Sequence, residues 1–290
     1  MSDARLGYFG PAGTFTHAAL LASGHAFGEA VPLPTERETI LAAARGEVAA
    51  GLVPIENSIE GGVNATLDAL ALEVEDAEIV GEEVLPVSHA LIVRRGLPLS
   101  EVTAVTSHPQ ALAQCRRFVA ETLPGRRVIA ATSTAEAVRT AATSAEPLAA
   151  IGTTTAAGLY DCDVLAEAIE DEHGNQTRFV WVARRGTAPF PPRPDRPAKT
   201  SIVFHGAGDA SPGWLVRCLD EFAGRGINLN RIESRPLKRQ LGHYLFLTDL
   251  EGSTADANVA AAIERLHAHC EVVRVLGSFP SAGPAGFEPR

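Results

Sequence analysis

The sequence predicts an α/β protein in two parts, and three observations carry that expectation. Residues 1–185 alternate short apolar strands with segments of helical spacing, the pattern of repeated β-α units. Residues 200–279 run strand, helix, strand, strand, helix, strand, the ferredoxin-like order. Between them, residues 184–199 carry five prolines, which remove backbone donors and favour extended chain, so this stretch reads as a semi-rigid linker. The length of 290 residues agrees, because domains of ~150 residues make two the prior. The expected division is a first part at 1–185, a linker at 186–199, a separate module at 200–279 and a disordered tail at 280–290.

In the first part, residues 5–9 are strand-like, and Phe15, Ala18, Ala19 and Ala22 then recur at helical spacing. Thr35-x-x-Glu38 is a capping box ahead of the apolar run 40–44. Residues 49–55 predict a strand, 62–72 a helix, and 79–85 and 89–93 extended segments. A strand at 102–106 leads into Ser107-His108-Pro109, a helix start with a cap residue and an early proline. A strand at 128–131 precedes a second capping box, Ser133-x-x-Glu136, and strands at 148–151, 164–169 and 179–183 complete the series. In the second part, strands at 200–205, 227–234, 242–250 and 272–279 alternate with helices at 212–223 and 255–267. Leu215, Leu219 and Phe222 fall on one face of the first of those helices.

Hydrophobic residues make up 46% and charged residues 21%, which is globular usage and excludes a disordered chain. No apolar run approaches the ~20 residues of a membrane span, and the N-terminus lacks a signal-peptide core, so the expected compartment is the cytoplasm. The net charge of −10 argues against a general nucleic-acid surface. Residues 1–185 hold 13 basic and 24 acidic side chains, net −11, whereas 186–290 hold 12 and 11, net +1. On that ground the first part should repel anionic ligands. Cys115, Cys162, Cys218 and Cys270 lie far apart without a C-x-x-C, so scattered reduced thiols are expected rather than a metal site. His267 and His269 are two apart and point to different sides of a helix, so no zinc pair is expected there.

Five segments could carry chemistry. Gly10-Pro11-Ala12-Gly13-Thr14-Phe15-Thr16 places a turn before a helix start, where free N–H groups and a threonine hydroxyl make an anion site; a plain capped turn is the alternative. Pro54-Ile55-Glu56-Asn57-Ser58 ends a strand, where α/β sheets collect ligands, with Asn57 and Ser58 as neutral donors and Glu56 as the nearby acid. A capping role for Asn57 or Ser58 fits equally. Ser107-His108-Pro109-Gln110 also follows a strand, and His108 is either an acid–base group or a solvent-facing first-turn histidine. Residues 171–178 read as a polar loop in which Arg178 holds a carboxylate or pairs with Glu170, Asp171 or Glu172. Thr177 can donate a hydrogen bond to a leaving oxygen. In the second part, Asn228-Leu229 and Glu233-Ser234-Arg235-Pro236 flank a strand and suggest a small-ligand pocket at a subunit seam.

These segments stand in a familiar order. G-P-x-G-T-F at 10–15, P-I-E-N-S-x-x-G at 54–61, S-H-P-Q-A-L at 107–112 and T-R-F at 177–179 resemble the prephenate dehydratases. The second part resembles that family's regulatory ACT domain, with G-x-L-V at 213–216 and E-S-R-P at 233–236. The resemblance implies conversion of prephenate to phenylpyruvate, CO2 and water without metal or cofactor. It implies a two-lobed catalytic part like the type 2 periplasmic binding proteins, with one lobe holding both ends of 1–185. It assigns the essential threonine role to Thr177, substrate binding to Thr14, Asn57, Ser58, Ser107, Arg178 and Phe179, and L-phenylalanine feedback to the ACT domain of a homodimer or dimer of dimers. The effector would contact Gly213, Leu215, Asn228, Leu229, Glu233, Ser234, Arg235 and Pro236. Trp214 departs from the small residue usual in the family and would alter effector affinity or choice. Arogenate dehydration shares the fold and mechanism, and a non-catalytic small-anion sensor is the reading from another class. No helical domain precedes Arg5, so fusion to a chorismate mutase is not expected.

Overall fold

The computed structural model describes residues 4–206, 211–239 and 241–282. Among these, the strands form three sheets. The first lobe contains β1 (Arg5–Phe9), β2 (Glu29–Leu33), β3 (Ala50–Asn57), the short β4 (Gly61–Gly62) and β5 (Ala77–Pro86), with helices α1 (Phe15–Ala22), α2 (Glu36–Arg45) and α3 (Asn64–Asp68). The chain then builds a second lobe from β6 (Ala90–Arg94), β7 (Ala104–Ser107), β8 (Arg127–Ala130), β9 (Leu148–Gly152) and β10 (Cys162–Ala166). Its helices are α4 (Pro109–Gln114), α5 (Arg116–Thr122), α6 (Thr134–Thr143) and α7 (Thr154–Leu159). β11 (Gln176–Arg184) returns to the first sheet, whose order is β2-β1-β3-β11-β5. The first lobe thus holds both ends of this region.

Local chemistry explains most helix starts. The hydroxyls of Thr14, Thr35, Ser133 and Thr153 each accept the backbone N–H three residues on. Both capping-box positions therefore open helices, α2 and α6. β2 was not expected from the sequence: Pro32 lies within it, which is tolerated because β2 is the edge of its sheet. The helix expected over 62–72 is shorter, with α3 followed by a wider turn at Ala69–Glu73. Residues 176–178 are the first part of β11 rather than a polar loop.

The third sheet contains β12 (Ala198–His205), β13 (Leu229–Pro236), β14 (Tyr244–Glu251) and β15 (Val272–Pro280) in the order β13-β14-β12-β15, every neighbour antiparallel. Helices α8 (Trp214–Ala223) and α9 (Ala257–Leu266) cover one face, closing a core around Phe204, Phe222 and Leu266. Cys218 and Cys270, far apart in sequence, meet there with sulfurs 3.7 Å apart, and all four cysteines are free.

The other face of this sheet corrects the picture of a separate module. Val203, Leu247, Leu276 and Phe279 join Val53, Ile79, Val180 and Val182 of the first lobe in one apolar cluster. Burying such side chains stabilises by ~1.5–3 kcal/mol each, so the two parts share a core rather than a tether. The linker is also packed: Phe190 stacks on His25 at 3.7 Å and meets Trp181 edge-on at 5.1 Å. Burial, then the charges of Arg193 and Arg196, push His25 down to about 4. Pro280 ends β15 rather than starting a disordered tail, and Ala282 N–H donates to Glu82 at 2.9 Å. Residues 283–290 lie outside the described residues. No helix among those described is long and apolar enough to cross a membrane.

β15 approaches β5 so closely that a Cβ at Gly277 would collide with the Ile79 carbonyl oxygen and lie 2.8 Å from the Ile79 N and C atoms. Gly277→Ala should cost ~1–3 kcal/mol through overpacking. A thermal melt and limited proteolysis of the linker read this out. An unchanged midpoint with unchanged cleavage would contradict the docking described.

Candidate functional site

β3 and β11 run antiparallel through the centre of the first sheet, with Thr177 opposite Asn57 and Arg178 opposite Glu56. Side chains alternate faces along a strand, so these two register pairs look in opposite directions. Thr177 and Asn57 face the space between the lobes. Asn57 Oδ1 accepts the N–H groups of Ile59 and Glu60 at 3.0 and 3.1 Å, which fixes the turn after β3. Its Nδ2 donates to Thr177 Oγ1 at 2.9 Å and to Asn175 Oδ1 at 2.8 Å. Ser58 completes the seam, donating to Asn175 Oδ1 at 3.1 Å and accepting Gln176 N–H at 2.9 Å.

This seam opens on a cavity of about 410 Å³ between the lobes. Phe9, Thr14, Phe15, Asn57, Thr177 and Phe179 line one side, and His108, Gln114, Ser133 and Thr134 the other. The lobes touch at Gly13, whose carbonyl accepts the Thr153 hydroxyl at 2.7 Å. Gly13 has φ +90°, and a Cβ there would lie 3.0 Å from Ala156 Cβ, so the position requires glycine on both counts. Among the described lining residues none is Lys or Arg. The positive ends of α1 and α6 point at the cavity instead, through Thr14–Thr16 and Ser133–Thr134.

Several expected residues are placed elsewhere. Ser107 is fully buried and donates to the Ile151 carbonyl at 2.6 Å, so its hydroxyl is committed to the second-lobe sheet. Two turn amides in the expected anion site are also committed, Gly13 N–H to His17 Nδ1 at 3.1 Å and Thr14 N–H to the Pro11 carbonyl at 3.4 Å. Arg178 and Glu56 lie on the far face of the strands. Arg178 donates to Glu82 at 2.6 Å and to Asp249 at 2.5 Å, and neither is among the acidic neighbours considered from the sequence.

The structure adds residues that sequence reasoning missed. Asn175 joins Asn57 to Ser58 across the seam. His89 lies 3.0 Å from Gln114 and packs edge-on against Phe15, and burial lowers its pKa. His89 had no local signal because it lies between two strands, and its partner is 25 residues away.

In the third sheet, Gly213 and Leu215 line a second cavity of about 280 Å³ with Trp214, Tyr244 and Phe246. The Trp214 indole donates to the His269 carbonyl at 2.6 Å, which fixes it in the wall. The other expected effector residues are not brought to this cavity within one chain. Asn228 donates to Glu251 at 2.8 Å, and Leu229 packs into the core beneath α8. Ser234 and Pro236 pair with Phe246 and Tyr244 along β13 and β14. Glu233 lies 3.9 Å from Arg231, and Arg235 grips Asp68 of α3 in a bidentate pair at 2.9 and 3.0 Å.

The Arg178 cluster has a pH signature. Burial alone would raise the carboxyls of Asp249 and Glu82, but Arg178 with Arg231, and Arg178 with Lys199, outweigh it and hold both below the ordinary range. Groups with lowered native pKa stabilise fully above their unfolded values of ~4, and that stabilisation is lost as pH falls through the lowered native values. Denaturant midpoints should therefore drop below pH ~4. The double variant Glu82→Gln, Asp249→Asn should show a shallower drop, and parallel curves would refute the assignment.

A family model for prephenate dehydratase matches residues 6–187. Prephenate dehydratase of Amycolatopsis methanolica is 41% identical over 278 residues, covering 96% of this chain and 89% of that one. The solved structure of prephenate dehydratase in complex with L-Phe from Arthrobacter aurescens superposes with a TM-score of 0.86 at 39% identity, over 96% of this chain and 90% of that one. GqqA, described as a quorum-quenching acylase, has the same fold with a TM-score of 0.83 at 28% identity, over 96% and 98% of the two chains. The chain belongs to the prephenate dehydratase family.

Proposed function

We propose that the cleft carries out the decarboxylating dehydration of prephenate with Thr177 as the hydrogen-bond donor to the departing hydroxyl. The observation that carries this reading is the Asn57–Thr177 contact at the cavity wall. Asn57 donates to Thr177 Oγ1, which occupies a lone pair and leaves the threonine proton free to point outward. In the reaction the bond between ring and carboxylate breaks, and its electron pair enters the ring as CO2 leaves. The pair of the C–O bond across the ring departs with the hydroxyl, which takes up a proton from the solvent that the open cleft admits and leaves as water. Aromatisation drives the step. The protein must therefore orient a dianion and stabilise a leaving oxygen, which positioned neutral donors and helix dipoles achieve.

The wider reading follows the family. The two lobes correspond to a type 2 periplasmic-binding-protein arrangement, and the third sheet with α8 and α9 to an ACT domain. L-phenylalanine would bind at the cavity of Gly213 and Leu215, with a second copy of the chain supplying the side that one chain leaves open, in a homodimer or dimer of dimers. The solved relative in complex with L-Phe supports this. Trp214 in the wall makes the choice among aromatic amino acids a property of this chain. The enzyme is assigned to the cytoplasm.

Purified protein with prephenate tests the reaction. Thr177→Ala should reduce kcat by ~10²–10³-fold with an unchanged melting midpoint, in the range for loss of one oxyanion-type donor. Near wild-type turnover would sink the role. Glu36 also lines the cavity, so arogenate, whose ammonium a carboxylate would favour, is the second arm of the assay. Titration calorimetry with Phe, Tyr and Trp should give the strongest binding with Phe, and no heat at millimolar Phe would end the feedback reading.

A further inference from the structure

The alternation along β3 and β11 has a second side. Thr177 and Asn57 meet in the cleft, while their strand neighbours Arg178 and Glu56 meet 3.5 Å apart on the opposite face. That face is covered by the third sheet, and each of three strands there contributes to the cluster. Asp249 of β14 accepts from Arg178 at 2.5 Å, and Ser201 of β12 donates to its other oxygen. Lys199 of β12 reaches Glu82 at 2.8 Å, beside the Arg178 contact. Arg231 of β13 lies 3.9 Å from both Asp249 and Glu56. The catalytic threonine and the interdomain arginine are therefore consecutive residues of one strand.

We infer that Arg178 is a positioning residue for the reaction: the third sheet grips it through Asp249 and thereby sets where β11 presents Thr177 to Asn57. This rests on the reading of Thr177 as the reactive donor. Three arguments favour it over a purely stabilising ion pair. Buried ion clusters contribute little net stability compared with apolar packing of the same volume, and this interface already has that packing around Val180 and Val182. Apolar contacts tolerate sliding, whereas a guanidinium fork on two carboxylates fixes direction, so the cluster supplies what the core does not. Arg178 Nη2 and Arg231 Nη2 are buried without a hydrogen-bond partner among the described residues, so the network has donors available for a second arrangement. A shift of the third sheet on effector binding would pull on Arg178 and move Thr177, one residue away on the other face.

The test uses the full chain. Wild-type turnover of prephenate and calorimetric binding of L-Phe are measured first and decide the underlying reading by themselves. Arg178→Lys keeps the charge and loses the fork; it should lower kcat by about tenfold or more with KM little changed. Asp249→Asn should shrink the effect of saturating L-Phe on kcat by about fivefold or more. A folded Arg178→Lys with wild-type kcat, or one with raised KM and unchanged kcat, overturns the inference, the latter by returning Arg178 to the substrate. Hydrogen exchange on the wild-type protein needs no variant: the amides of residues 176–179 should change protection when L-Phe is added. No change there, with L-Phe bound, also overturns it.

Discussion

The antiparallel pairing of β3 with β11 is the constraint on which the rest depends. It joins a strand from the start of the chain to one from the far side of the second lobe, and so closes the first lobe around both ends of the catalytic region. Its register decides which side chains face the cleft as well as the topology. With Thr177 opposite Asn57, an amide donor meets the threonine oxygen at 2.9 Å; a one-residue slip would send Thr177 to the buried face. The seam of Asn57, Ser58 and Asn175 locks that register from the side.

On the proposed reading, the cleft reconciles an acidic protein with an anionic substrate. Net charge is a sum over the whole region, and the −11 of residues 1–185 says little about the local potential in one cleft. Inside, the available positive potential comes from the starts of α1 and α6 and from neutral donors. Such groups are already oriented when substrate arrives and need no counterion to be displaced. Burial lowers the His89 pKa and so disfavours a charged ring there.

The third sheet is more than an appended module. It completes the apolar core behind β11 and brings Asp249, Lys199 and Arg231 to the back of the strand that carries Thr177. Arg235 extends the contact to α3 through Asp68. Within one chain, residues expected to surround the effector divide between a cavity wall at Gly213 and Leu215 and this interdomain surface at Glu233 and Arg235.

Through the family resemblance the sequence suggested Thr177 and Asn57 as one site; by itself it determined most of the order of elements, though not β2, and the capped starts of α1, α2 and α6. Those properties are local: caps, periodicity and short motifs act within a few residues of themselves. Tertiary structure alone decided which way each residue faces. Arg178 beside Thr177 and Glu56 beside Asn57 belong to the same motifs, yet strand alternation sends them to the opposite face, and only packing of the third sheet makes that face an ion cluster. Ser107 is withdrawn by a carbonyl 44 residues away, and Asn175 and Gln114 gain their partners from segments far along the chain. Such contacts have no signature in the adjacent sequence, because their energy exists only once distant elements are brought together.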